Sequence, residues 1–131
     1  MNERLKCVML IDDDEDDNFF HRIVIEESGA TETIRIAESA EEALELLKNA
    51  EAVPDLIFLD LNMPRINGLE FLDELINLKM KLKPVIVLLT TTAFPFKDDN
   101  KIQTQISAIE IKPLTIEKLK PILSTYFNIH L

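Results

Sequence analysis

The stretch that most constrains this chain is Leu56-Ile57-Phe58-Leu59-Asp60-Leu61-Asn62-Met63-Pro64. Four apolar residues run straight into a carboxylate, and prolines at 54 and 64 bound the segment. An unbroken apolar run of this length reads as a strand buried on both faces, which requires helices above and below it. Asp60 then falls at the strand's C-terminal end, where open α/β sheets keep their ligand chemistry. A carboxylate there either caps the next loop or reacts, and the rest of the chain decides between the two.

Other strand-length runs repeat the pattern. Cys7-Val8-Met9-Leu10-Ile11 leads into six consecutive acidic residues, Asp12 to Asp17. Lying between a buried strand and a helical pattern, that block reads as a loop entering a helix, with Asp16 and Asp17 complementing the helix dipole. Phe19, Phe20, Ile23, Val24 and Glu27 follow at helical spacing, and Ser28-Gly29 supplies the stop. His21 is expected to face solvent, as is His130 in the tail, whereas Cys7 packs in the core.

Thr33 to Ala37 alternates like a more exposed strand. Ser39 and Glu42 form a capping box for a helix that buries Ala40, Ala43, Leu44 and Leu47. Leu69, Leu72, Leu75 and Ile76 mark a third helix after Gly68. Val85 to Leu89 is a fourth strand, left at Thr90-Thr91-Thr92. Residues 93–105 carry Phe94-Pro95-Phe96 and a short polar helix with Ile102. Ile106 to Ile111 is the fifth strand and runs into Lys112-Pro113. Thr115 caps a last helix through Ile116, Leu119, Ile122, Leu123 and Tyr126, in which Pro121 is expected to force a kink or a later start.

Strand and helix alternating five times define an α/β fold, a doubly wound parallel sheet with helices on both faces. Right-handed crossovers favour the flavodoxin-like (βα)5 strand order 2-1-3-4-5. In that order the first and third strands meet at the switch point, bringing Asp12 and Asp13 to Asp60, and the fourth and fifth strands deliver Thr90 and Lys112 to the same edge.

Composition removes several other functions. The 131 residues suit one domain, and a single cysteine excludes a disulfide framework and, with two distant histidines, a Cys/His zinc site. A net charge of −10 opposes binding to nucleic acid or anionic lipid. No secretory or membrane-spanning run is present in the sequence, so a cytoplasmic location is expected. The two glycines, Gly29 and Gly68, exclude both G-x-G-x-x-G and the Walker A loop. An EF-hand loop opening at Asp12 fails as well, because Asp17 stands at its glycine and Ile23 at its final glutamate.

Carboxylates gathered at one sheet edge repel, and a divalent cation removes the conflict. All-oxygen ligands with room for water suit Mg²⁺. Lys112 adds a mobile positive charge and Thr90 a hydroxyl. Cation, ammonium and hydroxyl around one carboxylate make a receptor for a phosphoryl group undergoing in-line attack by Asp60.

Over about residues 4–128 the chain resembles the receiver domain of two-component response regulators. The resemblance is carried by Asp12-Asp13, by Leu59-Asp60-Leu61-Asn62-Met63-Pro64 with Gly68, by Thr90 and by Lys112-Pro113. It implies that Asp60 accepts phosphate from a sensor histidine kinase or a histidine phosphotransfer protein. It further implies that Asp13, Asp60 and the Asn62 carbonyl bind Mg²⁺ with Asp12 assisting, that Thr90 and Lys112 contact the phosphoryl oxygens, and that the Lys112-Pro113 bond is cis. Residues 1–131 are expected to form a single receiver without an output domain, of the stand-alone chemotaxis-regulator kind. Such a module acts on an unidentified downstream protein or relays the phosphate. The expected partner face comprises the helix at 93–105, the fifth strand and the last helix, with Phe94, Phe96 and Ile109 on or near it.

Three features depart from the family pattern. Ile109 stands where many members carry a switch aromatic, Thr91 replaces a smaller residue, and no glycine precedes the fifth strand. Two other readings compete with the receiver. A haloacid-dehalogenase-like phosphatase wants Asp-x-Asp, where this chain has Asp60-Leu61-Asn62. A receiver fold kept purely as a binding scaffold would have lost Asp60, Asp13 or Lys112, all of which are present.

Overall fold

The apolar runs form the strands of one parallel sheet, in a computed structural model that describes residues 4–49, 53–60, 68–77, 84–91 and 106–131. The elements, in order, are β1 (Leu5–Ile11), α1 (Glu15–Ser28), β2 (Thr31–Ala37), α2 (Ala40–Asn49), β3 (Leu56–Asp60), α3 (Gly68–Asn77), β4 (Val85–Thr90), β5 (Ala108–Ile111) and α4 (Ile116–Phe127). The strand order is β2-β1-β3-β4-β5, the flavodoxin-like order expected. The short polar helix expected within 93–105 lies outside the described residues, as do Asn62, Phe94 and Phe96.

All five residues of β3 are buried, which is what an apolar run at the centre of a doubly covered sheet requires. Strand parity then sorts its side chains. Leu56 and Phe58 join Val24 and Ile25 of α1 and Leu119, Ile122 and Leu123 of α4. Ile57 and Leu59 join Ala40, Ala43 and Leu47 of α2 and Phe71 and Leu75 of α3 on the other face. Among the described residues, helices therefore cover both sides of the sheet, α1 and α4 on one and α2 and α3 on the other.

Local signals set the helix ends. Asp14 caps α1 by accepting from the Asp16 and Asp17 amides, and Gly29, at φ 68°, closes it by donating to the Glu26 carbonyl. The Ser39 hydroxyl accepts from the Glu42 amide at 3.0 Å, while the Glu42 carboxylate reaches back to the Glu38 amide, one residue short of a full capping box. Thr115 caps α4 as expected, but the helix runs through Pro121 without a break or a later start. Tyr126, near the end of that helix, is exposed and donates to the Ser107 carbonyl.

The first helix corrects the sequence reading. Phe19 and Phe20 are 68% and 45% exposed and Ile23 is also exposed, whereas His21 is 2% and Asn18 3% exposed. Of the apolar residues counted from Phe19, Phe19, Phe20 and Ile23 thus mark the outer side of α1, and Val24 alone turns inward. His21, expected in solvent, is a core residue.

Candidate functional site

Parallel register carries the C-terminal ends of β1, β3, β4 and β5 to one edge. Ile11 lies beside Leu59, Asp60 beside Leu89, and Thr90 beside Ile111. The Lys112 amide donates to the Thr90 carbonyl at 2.8 Å, extending the β4–β5 ladder by one step and aligning Lys112 with the edge. The Lys112-Pro113 bond is cis, as expected.

At this edge Asp12, Asp60 and Thr90 are buried and Asp13 is exposed. Carboxylate oxygens of Asp12, Asp13 and Asp60 lie within 4.8 Å of one another. Three hard anionic donors this close, two of them buried, form a donor set that fits a small divalent cation. Without one, their mutual repulsion is offset by Lys112, whose Nζ lies 2.8 Å from Asp12 Oδ2 and 3.5 Å from Asp60 Oδ1.

The Lys112 side chain is only 10% exposed. Burial alone would lower its pKa. Hydrogen bonds to Asp12 and Asp17 and the charges of Asp60 and Asp12 outweigh that effect and hold it above the ordinary lysine value, so Lys112 is an ammonium at any physiological pH.

Asp12 is tied down on all sides. Its amide donates to the Ala37 carbonyl at 3.0 Å, its Oδ1 accepts from the Asp14 amide at 3.0 Å, and its carbonyl accepts from Asn18 Nδ2 at 2.8 Å. The expected residues Asp12, Asp13, Asp60, Thr90 and Lys112 all come to this edge. Ile109 is half-buried and packs against the cluster formed by α2, α3 and the sheet, and the exposed apolar residue of β5 is Ile111.

Three residues on α1 were missed by sequence reasoning. Asp17 Oδ2 lies 2.8 Å from Lys112 Nζ, a third ion pair that a role at the helix dipole does not predict. Asn18 braces the Asp12 carbonyl, and His21 is buried beneath them. Burial lowers the His21 pKa and the Lys112 charge lowers it further, while Asp17 and Asp12 work against both. A signal was present: Asp17, Asn18 and His21 are spaced as one helical face opposite the three large apolar residues.

A doubly wound sheet with a carboxylate cluster and a buried ammonium at its switch point defines the class as a flavodoxin-like acidic-site module. The chain belongs to the response regulator receiver domain family, which matches residues 8–124. The polar-differentiation response regulator DivK of Brucella ovis is 35% identical over 130 residues, covering 94% of this chain and 97% of that protein. A crystal structure of a two-component response regulator from Cytophaga hutchinsonii superposes with a TM-score of 0.82 at 31% identity, covering 96% of this chain and 99% of that one. A protein-glutamate methylesterase/protein-glutamine glutaminase of Burkholderia thailandensis is 36% identical over 85 residues, 65% of this chain and 22% of that protein. The chain spans 21–31% of the length of the methylesterases it matches. Family membership decides against the dehalogenase-like reading.

Proposed function

We propose that this protein is a phosphorylation-switched receiver that accepts a phosphoryl group on Asp60 from a phosphohistidine of a sensor kinase or phosphotransfer protein. The observation that carries this reading is the placement of the buried Asp60 carboxylate with Asp12, Asp13 and a buried lysine ammonium at the sheet's switch point.

An Asp60 oxygen attacks phosphorus in line with the bond to the donor imidazole. The P–O bond forms as the P–N bond breaks, and its electron pair leaves on the ring nitrogen, which takes a proton. Lys112, 3.5 Å from Asp60 before transfer, supplies positive charge to the phosphoryl oxygens, and the Thr90 hydroxyl at the end of β4 donates to them. Asp12, Asp13 and Asp60, with the Asn62 carbonyl, would hold Mg²⁺, which screens the approach of an anionic donor to an anionic site.

Drawing Thr90 and Lys112 towards the phosphoryl group shifts the ends of β4 and β5, and with them the surface offered to a downstream protein. Ile109, half-buried against the sheet, contributes packing to that surface. Among the described residues no helix is long and apolar enough to cross a membrane. The one cysteine, Cys7, is free and buried, which suits a reducing compartment such as the cytoplasm.

Incubation with acetyl phosphate, followed by intact-protein and peptide mass spectrometry, tests this reading. The expected result is one phosphoryl group on the peptide containing Asp60, dependent on Mg²⁺ and absent after Asp60→Asn. Label that persists in the Asp60→Asn protein rejects the assignment.

A further inference from the structure

The Lys112 ammonium has three N–H donors and three carboxylates within reach. Asp12 and Asp17 take hydrogen bonds at 2.8 Å each, and Asp60 lies at 3.5 Å. These three partners are not equivalent. Asp12 and Asp60 belong to the cluster suited to a divalent cation, and Asp17 does not. The Asp12 oxygen that holds Lys112 is Oδ2, while Oδ1 is engaged by the Asp14 amide. A cation drawing on Asp12 therefore competes with Lys112, and its own charge repels the ammonium.

We propose that Asp17 is a positioning residue, the one carboxylate among the described residues that lies outside the cation cluster and keeps the Lys112 ammonium beside Asp60 when Asp12 is engaged by a divalent cation. The inference rests on the phospho-acceptor reading and adds a component to it. Asp17 suits the role because it stands in the first turn of α1, where its own amide is held by the Asp14 cap. Its carboxylate reaches Lys112 from α1 and is not one of the three clustered carboxylates. Lysine is a compact charge on a flexible four-carbon stem, so an ammonium without that anchor swings outward once Asp12 is lost. Asp17 is 39% exposed, so its hold is weakened by solvent and the effect of losing it is moderate.

The test is chemical footprinting of Lys112 with a small amine-acylating reagent, read by peptide mass spectrometry with and without Mg²⁺. In the wild-type protein Lys112 is expected to react slowly under both conditions. In Asp17→Asn it should remain slow without Mg²⁺, where Asp12 still holds it. With Mg²⁺ it should react roughly three- to tenfold faster, the range for a partly exposed charged hydrogen bond. Asp17→Glu should restore protection.

In parallel, Asp17→Asn should slow acetyl phosphate labelling of Asp60 but add no further loss in a Lys112→Ala background. Equal reactivity of Lys112 with and without Mg²⁺ in Asp17→Asn overturns the proposal, as does the same loss of labelling in both backgrounds. The two levels fail separately. A wild-type chain that takes no Mg²⁺-dependent label on Asp60 rejects the phospho-acceptor reading. Normal wild-type labelling with an unchanged Asp17→Asn footprint rejects the role of Asp17 alone.

Discussion

Helices α1 and α2 enter the same fold from consecutive crossovers yet bury opposite kinds of residue. On α2 the inward side is Ala40, Ala43 and Leu47, the apolar stripe its spacing announces. On α1 the inward side is Asn18, His21, Val24 and Ile25, while Phe19, Phe20 and Ile23 face out. The difference follows from what each helix meets. The buried residues of α2 pack with apolar side chains of the sheet and α3. The first half of α1 lies over the C-terminal ends of the strands, where the Asp12 carbonyl and the Lys112 ammonium need partners. Leaving the Asp12 carbonyl and the Lys112 ammonium with fewer partners costs about as much as exposing a phenylalanine, so their pairing favours this rotation of α1. Further along the same helix Val24 and Ile25 return to apolar packing.

The contrast predicts a graded series of effects. The largest is expected on α2, where Leu47→Ala removes a buried side chain packed against the sheet and should cost about 2–4 kcal/mol in urea denaturation. Asn18→Ala on the inward side of α1 removes the hydrogen bond to the Asp12 carbonyl and should cost about 1–3 kcal/mol. A cost near zero for Asn18→Ala would show that the polar side of α1 is incidental, and the comparison would collapse.

A smaller effect concerns pH. The His21 pKa is lowered from 6.5 in the folded chain, first by burial and then by Lys112. Just below 6.5 the unfolded chain therefore binds more protons than the folded one. The stability contributed by the neutral imidazole is complete above about 6.5 and is lost as pH falls through the folded pKa. Urea midpoints in Mg²⁺-free buffer should decline across that window in the wild-type protein and flatten in His21→Gln. An unchanged slope in His21→Gln would place the imidazole in solvent, where the sequence alone puts it.

The sheet was legible because each strand states its own burial. Leu56 to Leu59 is apolar on both sides, Cys7 to Ile11 likewise, and a parallel doubly wound sheet is the architecture that buries such runs completely. Asp12, Asp13, Asp60, Thr90 and Lys112 were legible as a group because strand order carries all four strand ends to one edge. Asp17, Asn18 and His21 were not. Hydrophobic periodicity weighs a helix by its apolar residues, and on α1 the first three, Phe19, Phe20 and Ile23, face out while Val24 and Ile25 face in. Only tertiary partners, a lysine 95 residues away and the carbonyl that ends β1, reveal why the polar side turns inward.

The smallest effect is expected on the outward side of α1. Phe19 is 68% exposed and caught in none of the core clusters, so Phe19→Ser forfeits little burial and a modest amount of helix propensity. Its cost in urea denaturation should stay within about 0.5 kcal/mol, the range of surface substitutions. Acetyl phosphate labelling of Asp60 should be unchanged, because the one ion pair this helix makes with Lys112, from Asp17, lies on its other side. Phe19 and Phe20 offer an apolar side on α1, as Ala40, Ala43 and Leu47 do on α2. If Phe19→Ser destabilises the isolated chain as much as Leu47→Ala, the phenylalanine is buried and the helix is turned the other way. In that orientation Asp17 cannot reach Lys112, so one surface substitution tests the rotation on which the helix's contribution to the site depends.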